Sequence, residues 1–196
     1  MIFGIRRWPI VPTLVVLAAA ATMVALGFWQ LDRLGQKEAM IADFSRNAQS
    51  SSVVDLTSLA DADRLAYRRV RIACAQPTDW NAVAGRSADD VAGYVHRYLC
   101  HAGKPAVFAD IGWSQAPRDP SFAGGEVTGV LVRLGDDYKV VASEGIAGLQ
   151  PIARPDPHDM PNNHLAYAVQ WFFFALTALV IYVLALRRQQ RDSTAA

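Results

Sequence analysis

The sequence predicts a membrane protein with two transmembrane helices flanking an extramembrane β-rich domain, α+β in class and barrel-like if its sheet curls. Three observations carry this. Apolar residues make up 52% of the 196-residue chain and concentrate in two nearly charge-free blocks, Trp8–Leu31 and Leu165–Leu186. Each is close to the roughly 20 residues that cross a bilayer core. Between them, residues 32–163 carry 14 Lys/Arg against 17 Asp/Glu. That mixed balance belongs to a folded aqueous domain and not to the clustered basic face that binds nucleic acid. Within that segment apolar and polar residues alternate with the two-residue period of strands.

The boundaries read as a tail at 1–7, a span at 8–31, the β-rich domain at 32–163, a span at 164–186 and a tail at 187–196. Arg6 and Arg7 precede the first span, and Arg187, Arg188 and Arg191 follow the second. Short basic tails stay in the cytoplasm, so the domain falls on the far side. That is the periplasm for a multi-pass protein of a bacterial inner (plasma) membrane, or the intermembrane space of a mitochondrion. A cleaved leader is the competing reading of the first block, but its apolar run exceeds the ~7–15 residues of a leader core.

In the first span, Pro9 and Pro12 occupy the opening turns, where a missing N–H matters least. Trp8 and Trp29 sit near opposite ends, as interfacial aromatics do. Ala20, Met23, Gly27 and Gln30 recur at helical spacing and form a narrow, slightly polar face suited to another helix. Leu31, Leu34, Ile41 and Phe44 continue an apolar stripe beyond the membrane until polar Ser45–Ser52 ends the helix.

From Tyr67 onward, Val70, Ile72 and Cys74 alternate with Arg69, Arg71 and Ala73, which predicts a strand with one buried face. Gln76–Asp79 reads as a turn, and Trp80–Ala84 as a weaker strand. Gly93–Cys100 and Pro105–Trp113 form a hairpin around residues 101–104. Ala116–Gly125 is a loop. Glu126–Leu134 and Tyr138–Ser143 form a second hairpin through residues 135–137. The Pro-rich stretch from Gly145 to Met160 returns the chain to the membrane.

Chemistry concentrates at the mouth of the second span. Asn162 or Asn163 caps a helix whose first turn carries His164. His164, Tyr167, Ala168, Trp171, Ala175, Ala178 and Tyr182 share one face at i, i+3, i+4, i+7 spacing. Phe172, Phe173, Phe174, Leu176 and Val180 form the opposite face, towards lipid. A neutral imidazole offers a lone pair to a metal, so His164 reads either as an axial ligand to a haem iron or as an interfacial histidine bonded locally. Gln30, Arg33 and Lys37 lie in the same leaflet, because the first span exits where the second enters. Gln30 can hydrogen-bond across to the second helix. Arg33 and Lys37 either hold two haem propionates or snorkel to headgroups.

These residues resemble a known family. Gly27-Phe28-Trp29-Gln30 with Arg33 and Lys37, and Asn162-Asn163-His164-Leu165-Ala166-Tyr167-Ala168 with Trp171 and Phe172, are similar to two signatures of the surfeit locus protein 1 family. Tyr67, Gly112-Trp113 and Pro151-Ile152 resemble weaker landmarks between them. The resemblance implies a non-enzymatic assembly factor for haem-a cytochrome c oxidase. Such a factor acts in haem a insertion into subunit I alongside other assembly factors, with His164 as the haem contact. Ile111 departs from the pattern, since the family has arginine before Gly-Trp. The alternative is a membrane scaffold that binds no haem and stabilises subunit I.

Cys74 and Cys100 lie on strand faces in an oxidising compartment, where they form either a disulfide or two buried thiols. A copper site is disfavoured, because His96 and Cys100 are four strand residues apart, about 13 Å. Asp89-Asp90 and Asp136-Asp137 read as solvated turn residues. No phosphate loop, nucleophile elbow or H-E-x-x-H motif is present.

Overall fold

A computed structural model describes residues 9–101 and 106–195, with side chains to residue 191. Trp8, Arg6, Arg7 and the hairpin tip from Ala102 to Pro105 lie outside the described residues. The chain divides into two compact units, one of Met1–Ala39 with Pro161–Ala196 and one of Met40–Met160. Elements follow in the order α1 (Ile10–Gln49), β1 (Val54–Asp55), α2 (Ala62–Leu65), β2 (Arg69–Cys74), β3 (Pro77–Arg86), β4 (Ala92–Cys100), β5 (Val107–Ser114), β6 (Gly125–Leu134), β7 (Asp137–Ala142) and α3 (His164–Ala195).

In the first unit, α1 and α3 are both long and apolar enough to cross a membrane. Their side chains meet at successive levels. Tyr182 hydroxyl lies 2.5 Å from Thr13 Oγ1, which itself donates to the Pro9 carbonyl at 2.8 Å, so the tyrosine is the donor. Phe172 packs on Gly27, and His164 meets Gln30. Numbers rise on one helix as they fall on the other, so the pair is antiparallel. α1 ends at Gln49, within the polar stretch expected to stop it, whereas α3 runs past Arg187 and Arg188, its expected end.

The second unit is a seven-stranded mixed sheet in the order β1-β2-β6-β7-β5-β4-β3. Both expected hairpins are present, β4–β5 and β6–β7, and β5 pairs with β7 in parallel. β2 alternates as expected, with Val70, Ile72 and Cys74 buried. The expected Gln76–Asp79 turn is corrected. β3 already begins at Pro77, and its ladder shifts register between Thr78 and Asn81, where Asp79 takes φ 50°. The turn residues serve as a bulge, because the ladder resumes beyond them.

Connectivity forces the sheet to curl. β2 and β3 are second and seventh in the sheet, about 24 Å apart if it were flat. Only Ala75 and Gln76 separate the two strands, a reach of roughly 11 Å. The Cys74–Cys100 disulfide, with 4.8 Å between Cα atoms, joins the second strand to the sixth on the inside of this curl. Around it lies the core, which includes Ile72, Tyr98, Ile111, Leu131 and Val140. The outer face has its own cover: Phe44 and Ala48 from the end of α1 pack with Tyr67, Val130 and Met160. Asn47 Nδ2 donates to the Arg64 and Ala66 carbonyls at 2.8 and 2.9 Å.

At one end of the core His96 is fully buried. Trp80 Nε1 donates to its Nδ1 at 3.3 Å, so the ring proton sits on Nε2 and donates to Ser114 Oγ at 2.8 Å. Ser114 in turn donates to the Ala116 carbonyl at 2.7 Å. This chain accepts only a neutral imidazole, and burial holds the His96 pKa below its ordinary value against an opposing pull from Asp119. Tyr98 binds Asp119 beside it, and burial plus that bond push the phenol up to about 12.

Two outcomes are expected. Cys74→Ser/Cys100→Ser should lower unfolding free energy by about 3–4 kcal/mol for a loop of this length, measured by denaturant titration in detergent. His96 should make the domain acid-sensitive. Its depressed folded pKa means that the unfolded chain takes the proton first. Its contribution is therefore complete above about pH 6.5 and declines as pH falls below that. Melting temperatures between pH 7 and 5 should fall less steeply in His96→Gln than in the native chain.

Candidate functional site

The candidate site is built on the first turn of α3 and the facing level of α1. His164 is the first residue of α3, and Tyr167 N–H donates to the Asn163 carbonyl at 3.2 Å, closing the first helical turn. Pro161 precedes the two asparagines and keeps the approaching chain extended. His164 is half-buried, and its Nδ1 lies 2.7 Å from Gln30 Oε1. A carbonyl oxygen only accepts, so Nδ1 carries the hydrogen. The free lone pair is then on Nε2, the nitrogen turned away from Gln30. A ring held this way has both its tautomer and its orientation set by its partner, as metal-binding histidines usually do.

What brings Gln30 to His164 is the packing one turn away. Gly27 is buried, and a Cβ there would come within 2.6–2.9 Å of the Phe172 ring. Only a residue without a side chain lets the ring lie against the α1 backbone. Phe28 adds an edge-on contact to the same ring at 5.4 Å. Ala20, Ala168 and Ala175 are also buried. The expected lipid-facing position of Phe172 is therefore corrected: it packs on the partner helix because Gly27 leaves a slot for it. A macrocycle wedged between the helices at this level would have to displace that contact.

The remaining predicted residues lie around this centre. Tyr167 is 52% exposed. Trp171 is half-buried and meets Phe174 edge-on at 6.2 Å. Arg33 is exposed, and its Nη1 donates to Gln36 Oε1 at 2.6 Å, while Gln36 donates to Asp32 at 2.7 Å. Lys37 is half-buried. The structure thus joins His164 and Gln30 directly and leaves Arg33 in a local chain along its own helix. Sequence reasoning missed the Thr13–Tyr182 bond at the other end of the pair. Its signal was present: a hydroxyl near the start of the first span and another near the end of the second.

Among the described residues no cluster of three His, Cys, Asp or Glu side chains is placed to hold a metal ion. The histidine-centred pair of apolar helices and the curled sheet domain together define a membrane protein with an extramembrane α+β domain. The family model for the SURF1 family matches residues 17–176, and the chain belongs to that family, which is known for cytochrome oxidase assembly. No curated protein matches the chain significantly.

The Gly27 slot has a measurable consequence. Gly27→Val should lower thermal stability of the helix pair in detergent by about 1–3 kcal/mol, the usual cost of overpacking. Adding Phe172→Ala should restore part of that loss, whereas two independent sites would give additive losses.

Proposed function

We propose that this protein is a non-enzymatic assembly factor of a bacterial inner membrane that holds haem a for insertion into subunit I of cytochrome c oxidase. The observation that carries the reading is the 2.7 Å bond from His164 to Gln30, which leaves the Nε2 lone pair free for a ligand. Asn162 Oδ1, buried without a hydrogen-bond partner among the described residues, adds support. An orphaned acceptor two residues from the ligand is what a site completed from outside would leave behind.

In this reading His164 is the axial ligand to the iron of the cargo. Gln30 positions the ring, and Tyr167 and Trp171 lie beside the macrocycle on the flank of α3. Arg33 and Lys37 take the propionates, Arg33 by exchanging its bond to Gln36. A single imidazole at a membrane edge holds its ligand reversibly, as a transfer step requires. With both basic tails cytoplasmic, the mouth of the site and the sheet domain face the periplasm. Subunit I and the other assembly factors are the partners, and the lipid bilayer is the medium.

The rival is a scaffold that stabilises subunit I and binds no haem. It is favoured by the Thr13–Tyr182 bond, which clasps the other end of the same helices with no ligand role. The His164–Gln30 bond would then be a second clasp. The two separate by optical spectroscopy of the full chain purified from cells that make haem a. The haem reading expects a Soret band that His164→Ala abolishes and that Gln30→Leu weakens about tenfold in occupancy, as loss of an orienting partner does. A native sample without haem, or a band untouched by His164→Ala, sinks it.

A further inference from the structure

The outer face of the sheet domain carries a second site, distant in kind from the histidine. Cross-strand pairing runs Arg69↔Val130, Val130↔Val141 and Val141↔Asp110, with Asp110↔Arg97 beyond, so these residues form one row across four neighbouring ladders. At the Arg69 end a cavity of about 210 Å³ opens between this row and the returning chain. It is lined by Arg69, Val130, Val141, Ser143, Ile152 and Arg154 among others, and no carboxylate lines it.

The charges around it are accounted for, with one exception. Arg68 donates to Ser52 at 2.6 Å, Arg71 pairs with Glu126 at 3.0 Å, and Arg133 pairs with Asp63 at 3.2 Å. Asp110, 2% exposed, is held by Arg97 at 2.6 Å and Lys139 at 2.9 Å. That carboxylate is already matched by two cations and leaves nothing for Arg69. Arg154 spends one nitrogen on the Ala48 carbonyl at 2.9 Å. Among the described residues the Arg69 guanidinium has no hydrogen-bond or ion-pair partner, although Arg69 is half-buried at the first position of β2.

Two guanidinium groups over an apolar floor make an oxyanion receptor. The planar fork of arginine fits a carboxylate or phosphate with two parallel bonds, and the valines and Ile152 exclude water that would weaken them. The volume is below the roughly 300–1,000 Å³ of drug-sized pockets. We propose that this cavity binds a small oxyanion of the carboxylate or phosphate class, held between Arg69 and Arg154 with Ser143 as an additional donor.

The test is calorimetric titration of the full chain in detergent at low salt, with benzoate in one arm and inorganic phosphate in the other. Saturable binding is expected in at least one arm, and the tighter arm assigns the source as organic carboxylate or phosphate. Arg69→Gln and Arg154→Gln should each weaken it at least tenfold, and Arg69→Lys should weaken it less. Arg71→Gln, on the same strand but ion-paired elsewhere, should leave it unchanged. If Arg69→Gln fails to fold, Arg69→Lys and Arg154→Gln still decide. Absence of saturation in both arms, or equal affinity in native, Arg69→Lys and Arg154→Gln proteins, overturns the proposal.

Discussion

The membrane unit depends on close approach of two backbones. In lipid there is no hydrophobic gain from pairing helices, because acyl chains are as apolar as leucine. Association must come from packing and from polar bonds across the pair. Gly27 supplies the first by admitting the Phe172 ring, with Ala20, Ala168 and Ala175 continuing the narrow seam. The two bonds Thr13–Tyr182 and Gln30–His164 supply the second. On α1 these bonds are 17 residues apart, about 25 Å along a helix, close to the thickness of a hydrocarbon core. Among the described residues the polar contacts between the two helices thus lie at the two ends, where partial hydration lowers the cost of burying them. The same packing that pairs the helices therefore also orients the histidine ring.

The sheet domain obeys a different constraint, the short link between β2 and β3. Two residues cannot bridge five strand spacings, so the sheet closes on itself and creates an interior. That interior takes the disulfide, the aliphatic core and the neutral His96 network. The exterior is left to α1, which covers part of it through Phe44 and Ala48, and to the returning chain, which forms bridges to Trp113 and Ser87. Where neither cover is complete, the Arg69 cavity remains. The domain thus separates its polar chemistry: a paired, desolvated triad at Asp110 for structure, and beside it Arg69, without a counter-ion among the described residues.

Much of the architecture was legible in the sequence because it rests on local periodicity. Apolar block length marked both helices, two-residue alternation marked β2, and turn residues marked both hairpins. The misreadings share one cause. Pro77–Asp79 has turn chemistry yet joins β3, because pairing with β4 offers ladder hydrogen bonds that a free turn would forgo. Phe172 has the composition of a lipid-facing residue yet faces α1, because a slot on another helix is invisible to the spacing of its own. β1 and α2, two and four residues long, are too short to leave a period.

The sequence by itself determined that two apolar spans enclose a mixed, β-rich domain. It also placed a histidine at the mouth of one span in the leaflet where Gln30 of the other emerges, since length, charge and helical spacing are properties of neighbours along the chain. Only the tertiary structure decided that Gln30 rather than Arg33 reaches His164, that the cysteines are joined, and that Arg69 stands without a counter-ion among the described residues. Those outcomes depend on distances between residues 26 to 134 positions apart, which no local pattern encodes and which packing and connectivity fix together.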